Sequence, residues 1–167
     1  MSRAQAAIGP GPRPRGRLRL TVRSHGVVVA ERRAQNLVLR RGAAVIAGLF
    51  SGAAGAAPIN QVKVGFATEA ATAELTTLTP PADTTIPAAA LVSPIGAADF
   101  TVILDRPAAV QVLISSVFKP TVELKDVTEA GLLAGEALYN QVVFDPVSLR
   151  PGQDVTFFWE IDFPFGH

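Results

Sequence analysis

The sequence predicts a mainly β protein: an antiparallel, jelly-roll-like β-sandwich over residues 17–167 with one helix in its N-terminal half, preceded by an extended basic arm over residues 1–16. Three observations carry that reading. Val155, Phe157, Trp159, Ile161 and Phe163 alternate with Thr156, Glu160 and Asp162, the period-two pattern of a half-buried strand, with Phe158 as its exception. Shorter runs of the same kind recur between Gly- and Pro-containing turns and do not alternate with helices, which disfavours a parallel α/β sheet. The arm places three prolines and three glycines within residues 9–16, a composition that forms neither a helix nor a central strand.

The elements follow in order. Residues 17–23 read as a strand with Leu18, Leu20 and Val22 inward and Arg17, Arg19 and Arg23 outward. Ser24-His25-Gly26 supplies a tight turn, glycine taking the positive φ it needs, and residues 27–32 return as a second strand. Asn36 is the predicted N-cap of a helix over residues 37–50, closed by Ser51-Gly52. Leu39, Ala43, Ile46 and Phe50 form a stripe at helical spacing, widened by Val45 and Leu49, which is expected to pack on the sheet. An alanine-glycine linker over residues 51–58 leads to a strand at 60–66. Residues 67–81 form a threonine- and alanine-rich loop with a helical turn around 70–75, and residues 82–98, carrying Pro87 and Pro94, are loop or edge strand. Strands at 100–104 and 110–118 make a hairpin about Asp105-Arg106-Pro107. The last third, residues 121–163, reads as an antiparallel meander with residues 146–152 as its turn. Tyr139, Phe157, Phe158, Trp159, Phe163 and Phe165 place the densest packing there.

Composition narrows the function. The chain has no cysteine, so disulfides and thiolate metal sites are excluded. Its longest apolar run, near residues 43–50, is too short to span a bilayer, and the N-terminal arginines lack the apolar stretch of a secretory signal. A chain made in the cytoplasm, with no membrane partner, is the resulting expectation. Residues 1–41 carry ten arginines and one acid, Glu31, whereas residues 42–167 carry five basic and thirteen acidic side chains. A basic quarter joined to an acidic body points to a partner for the arm, including the acidic body of a neighbouring copy. The arm has no aromatics among its basic residues, which argues against nucleic acid.

No glycine-rich phosphate loop is present, and two histidines, His25 in a turn and the terminal His167, do not make a metal site or a Ser-His-Asp triad. Glu160 and Asp162, two residues apart on one face, with Glu123 or Glu129 nearby, are the candidates for an acid pair of glycosidase or calcium-binding type. Acids on an outer strand face more commonly serve solvation. The expectation is therefore no catalytic residue, no metal and no cofactor.

Several stretches together resemble a family. They are Asn36-Leu37-Val38 with Gly42 six residues after the asparagine, an alanine-rich helix ending in Gly52, and a strand ending in Val64-Gly65. Val127-Thr128-Glu129-Ala130-Gly131-Leu132 follows, then residues 138–146 (LYNQVVFDP) and 155–163 (VTFFWEIDF). Over roughly residues 18–163 the chain resembles small structural proteins of tailed bacteriophages and prophages, of tail, tail-fibre or head-decoration type. The resemblance implies a non-enzymatic β-sandwich working as an oligomer within a virion, made in the bacterial host and contacting capsid or tail proteins and copies of itself. The arm lies outside the shared pattern, as does the region around residues 87–99. Arg3, Arg13, Arg15, Arg17 and Arg19 are accordingly the expected partner contacts. A receptor- or glycan-binding module of a tail fibre is the alternative, although the loops are poor in aromatics.

Overall fold

A computed structural model describes residues 14–69 and 72–166. Its elements are β1 (Arg15–Ser24), β2 (Val27–Val38), α1 (Arg40–Ser51), β3 (Gln61–Gly65), β4 (Val92–Pro94), β5 (Phe100–Ile103), β6 (Ala109–Phe118), β7 (Leu124–Ala134), β8 (Ala137–Leu138), β9 (Asn140–Leu149) and β10 (Gln153–Pro164). Short 3-10 turns at Ala88–Leu91 and Ala97–Asp99 flank β4. The protein is mainly β with one helix, as its alternation predicts.

The strands do not divide into two stacked sheets. They form one continuous antiparallel sheet in the order β4-β3-β7-β9-β2-β1-β10-β6-β5, with β8 pairing only β7, and it curls into a half-barrel. This departs from the expected sandwich, and the cause is the length of β2. Its residues 27–35 pair with β1, and the strand then continues so that Asn36, Leu37 and Val38 pair with Val142, Gln141 and Asn140 of β9. One long strand thus belongs to both halves of the sheet. Asn36 is a strand residue, not a helix cap; the helix begins four residues later, with Leu39 in the N-cap position.

The expected C-terminal meander is also redrawn. β7 and β9 pair, but β10 lies between β1 and β6, far from β9 in the sheet order. The strongest alternation in the chain therefore occupies the centre of one half of the sheet. Val155, Phe157, Trp159 and Ile161 are all buried, each contributing about 1.5–3 kcal/mol by leaving water. Phe157 meets Phe118 edge to face, with ring centroids 6.1 Å apart. Leu18, Leu20 and Val22 of β1 close the same layer, as their inward phase predicts.

β7 and β9 behave differently, since both of their faces are buried. The outer face is covered by the segment joining β3 to β4. Glu129 of β7, fully buried, organises that cover. Its Oε1 accepts the backbone N–H groups of Ala67 (3.2 Å) and Thr79 (2.5 Å), and its Oε2 accepts Gln141 Nε2 at 2.5 Å. Phe66 N–H donates to the Thr79 carbonyl, and Thr128 Oγ1 donates to the Ala67 carbonyl. Gly65 leaves room for the arrangement, because a Cβ there would run into the Glu129 carboxylate. The covering segment adds Leu75 and Leu78 to a second small core with Leu39, Leu133 and Leu138. Two residues of the turn expected around 70–75 lie outside the described residues; within the rest, Leu75 N–H donates to the Thr72 carbonyl.

This second core seats the start of α1. Leu39 N–H donates to the Tyr139 carbonyl, Arg40 N–H to the Ala73 carbonyl, and Arg40 Nε lies 2.9 Å from Glu74 Oε1. Gly42 is buried against Tyr139, where any side chain would meet the Tyr139 carbonyl. Gly52 ends the helix in the left-handed conformation, as predicted.

Tyr139, the chain's single tyrosine, is buried with its hydroxyl lacking a hydrogen-bond partner among the described residues. Burial pushes its phenol up to about 12. The unfolded chain ionises near the ordinary value of about 10 while the folded chain stays neutral, so stability is intact below about pH 10 and falls as pH rises toward 12. Tyr139→Phe is expected to remove its share of this alkaline loss, and at pH 7 to leave stability unchanged or raise it by about 1 kcal/mol. Urea unfolding of both proteins at pH 7 and above pH 10 checks this; an equal alkaline loss in the variant would contradict it.

Candidate functional site

Two surfaces of the molecule merit a functional reading. The first is the outer face of β2, β1 and β10, which holds three of the arginines expected as partner contacts: Arg15, expected in the arm, and Arg17 and Arg19, expected on the first strand. β1 begins at Arg15, so Arg15, Arg17 and Arg19 are strand residues flanked on both sides by neighbours. Arg3 and Arg13 lie outside the described residues. The β1–β10 register sets Arg15 opposite Asp162, Arg17 opposite Glu160 and Arg23 opposite Asp154. Opposite charges at facing positions stabilise an antiparallel pair. Arg17 Nη2 lies 2.9 Å from Glu160 Oε2. The contrast between a basic N-terminal quarter and an acidic body is thus met, over this stretch, within a single chain.

Arg19 breaks the pattern. On β10 it faces Phe158, the one residue out of phase in the alternation, with its guanidinium carbon 5.2 Å from the ring centroid. On β2 it faces Arg33, whose Nε pairs with Glu31 Oε1 at 2.7 Å. Around these residues lies a shallow cleft of about 400 Å³, lined also by Arg17, Gln35 and Glu160. Phe158 and Arg33 were not singled out as contacts from the sequence. The signal for Phe158 was its aromatic side chain on an otherwise polar strand face.

The second surface is α1. Of the expected core-facing stripe only Leu39 is buried and Val45 half-buried; beyond the first turn Ala43, Ile46, Leu49 and Phe50 are exposed, Phe50 by 94%, and Ala47 beside them is exposed as well. Gly42 and Val45, three residues apart, are the better covered positions. The helix is held by its N-terminal hydrogen bonds, the buried Leu39 and the Gly42 contact. The whole of residues 42–62 carries no charged side chain.

The candidate acids are separated. Glu160 is paired with Arg17, Asp162 Oδ1 accepts Gln111 Nε2 at 2.9 Å, and Glu123 Oε1 lies 3.2 Å from Arg150 Nε. Glu129 is enclosed under the 66–79 segment on another part of the sheet. Among the described residues no three His, Cys, Asp or Glu side chains group to hold a metal ion. His25 is exposed at the β1–β2 turn with φ 50°, beside Ser24 Oγ. No described helix is long and apolar enough to cross a membrane. No protein-family model, curated protein or solved structure matches this chain.

The Arg19–Phe158 contact is expected to carry a measurable coupling. In a double-mutant cycle with Arg19→Ala and Phe158→Ala, urea unfolding should give an interaction of about 0.5–1 kcal/mol, as for a partly exposed cation–π pair. Additive single effects would show that the stacking contributes nothing.

Proposed function

We propose that this protein is a non-enzymatic structural component of a phage or phage-like particle, a capsid decoration or a tail or baseplate attachment, acting through subunit–subunit contacts. The observation that carries this reading is α1. A helix with Phe50 almost wholly exposed, continued by a linker without charges, costs solubility in an isolated subunit and is suited to burial against another protein. The separation of the candidate acids, with Glu160 and Glu123 paired to arginines, Asp162 bonded to Gln111 and Glu129 enclosed, supports a role in surface matching over acid–base chemistry. The resemblance of residues 18–163 to tail and head-decoration proteins supplies the kind of assembly. Its environment on this reading is the virion, with capsid or tail proteins as partners.

The test uses particles purified from a producing host that expresses the tagged chain. The wild-type protein is expected to co-purify with particles at stoichiometric abundance. Phe50→Asp should reduce incorporation at least tenfold while leaving the melting temperature unchanged, because the side chain touches solvent in the free subunit. Purified particles that lack the wild-type chain would overturn the reading.

A further inference from the structure

We infer that α1 pairs with α1 of a second copy of this chain, antiparallel and across a two-fold axis between positions 46 and 47. The inference rests on reading α1 as an assembly surface and names what covers it.

Three features of the helix lead there. The first is shape. Ala43, Ile46, Ala47 and Phe50 have the i, i+3, i+4, i+7 spacing of one stripe, and all four are exposed. A two-fold axis between 46 and 47 sets Phe50 of one copy over Ala43 of the other, and Ile46 over Ala47. Each large side chain meets a small one, which is how facing helices interdigitate without voids. Any axis that placed Phe50 on itself would lose this match.

The second is charge. α1 has no acid in its first turn and no base in its last, and two arginines, Arg40 and Arg41, stand at its positive end. Arg40 is neutralised by Glu74 of its own chain. Arg41 makes no ion pair among the described residues. With the same axis, Arg41 lies opposite Gly52 of the partner, at the negative end of the partner helix, where a cation is favoured. Parallel pairing would instead bring both pairs of arginines together.

The third is specificity of place. Residues 42–62 offer no charge that would be stranded on burial, and the backbone hydrogen bonds that seat α1 on the sheet and its covering segment come from Leu39 and Arg40 at its start. Burying the stripe therefore displaces none of the contacts that seat the helix. A two-fold contact of this kind is isologous, so it closes after two copies.

The test uses the full chain, which has no cysteine of its own. Light scattering at tens of micromolar is expected to give a dimer. Phe50→Asp and Ala43→Phe should each weaken dimerisation at least tenfold while leaving unchanged the melting temperature measured at concentrations dilute enough for the monomer, the second because it fills the space that the partner's Phe50 needs. Ala47→Cys should form a disulfide-linked dimer on mild oxidation, whereas a cysteine at the exposed position Glu136 should not. A monomeric wild-type protein, or a dimer indifferent to Phe50→Asp, would overturn the pairing. A wild-type monomer that still enters particles in a Phe50-dependent way would overturn self-pairing and give the stripe to a different virion protein, leaving the structural role standing. A monomer that instead floats with anionic phospholipid vesicles would overturn it in favour of a bilayer. A Phe50-dependent dimer absent from particles would support the pairing and remove the virion reading.

Discussion

The arrangement depends most on one buried carboxylate. Glu129 sits in the middle of β7 with no exposure, a position where an unpartnered charge would be severely destabilising. Three donors meet it: the backbone N–H groups of Ala67 and Thr79, at the start and the middle of the segment between β3 and β4, and the Gln141 amide from the neighbouring strand. Hydrogen bonds to a charged acceptor are the stronger kind, and here they do what a hydrophobic contact could not. They fix both ends of the irregular 67–79 stretch at one point on the sheet. With Ala67 and Thr79 held, Leu75 and Leu78 come down on Leu39, Leu133 and Leu138, and the outer face of β7 and β9 is closed.

Everything at the helix end follows from that closure. The Ala73 carbonyl and the Glu74 carboxylate belong to the clamped segment, and they receive the Arg40 backbone and side chain. Gly42 permits the approach to Tyr139. The first turn of α1 is thereby fixed in direction, and the later turns project where the sheet no longer reaches. On the far side of β2, Arg15, Arg17 and Arg23 of β1 stand opposite acids of β10, and Arg17 pairs with Glu160, so that face is matched in part within the chain. The two surfaces differ in kind as a result. One is polar and internally matched; the other is apolar and open.

How much of this was legible in the sequence depends on what set each element. β10 and β1 were readable because each has one buried face, and alternation records that directly. The β1–β2 turn and the helix stop were readable because His25-Gly26 and Gly52 adopt positive φ that few other residues favour. β2 was read too short, since its final residues pair with β9, a strand distant in sequence, and local propensity says nothing of that partner. The helix stripe meets the body only at Leu39 and in part at Val45, for a related reason. Periodicity found a real apolar stripe but could not say whether sheet or solvent lay against it, and the seat was built by the 66–79 segment. Glu129 looked like a solvent-facing acid for the same cause. Its burial comes from a loop folding over a strand whose following residues, Ala130-Gly131-Leu132-Leu133, are apolar on both faces. That run was the one available hint. Arg15 is a matter of boundary: the proline-glycine stretch predicts an arm up to Gly16, yet β1 pairs from Arg15 onward, ahead of the expected strand that holds Arg17 and Arg19.

The most direct measurement of the central claim is residue-resolved amide hydrogen exchange on the wild-type protein and on Glu129→Ala. If the carboxylate clamps the covering segment and so seats the helix, the N–H groups of Ala67, Thr79 and Arg40 will exchange as slowly as those of β7 and β9 in the wild type. In the variant all three will lose protection together while the β1–β10 amides keep theirs. Fast exchange at these three positions in the wild type, or protection that survives removal of the carboxylate, would contradict the account.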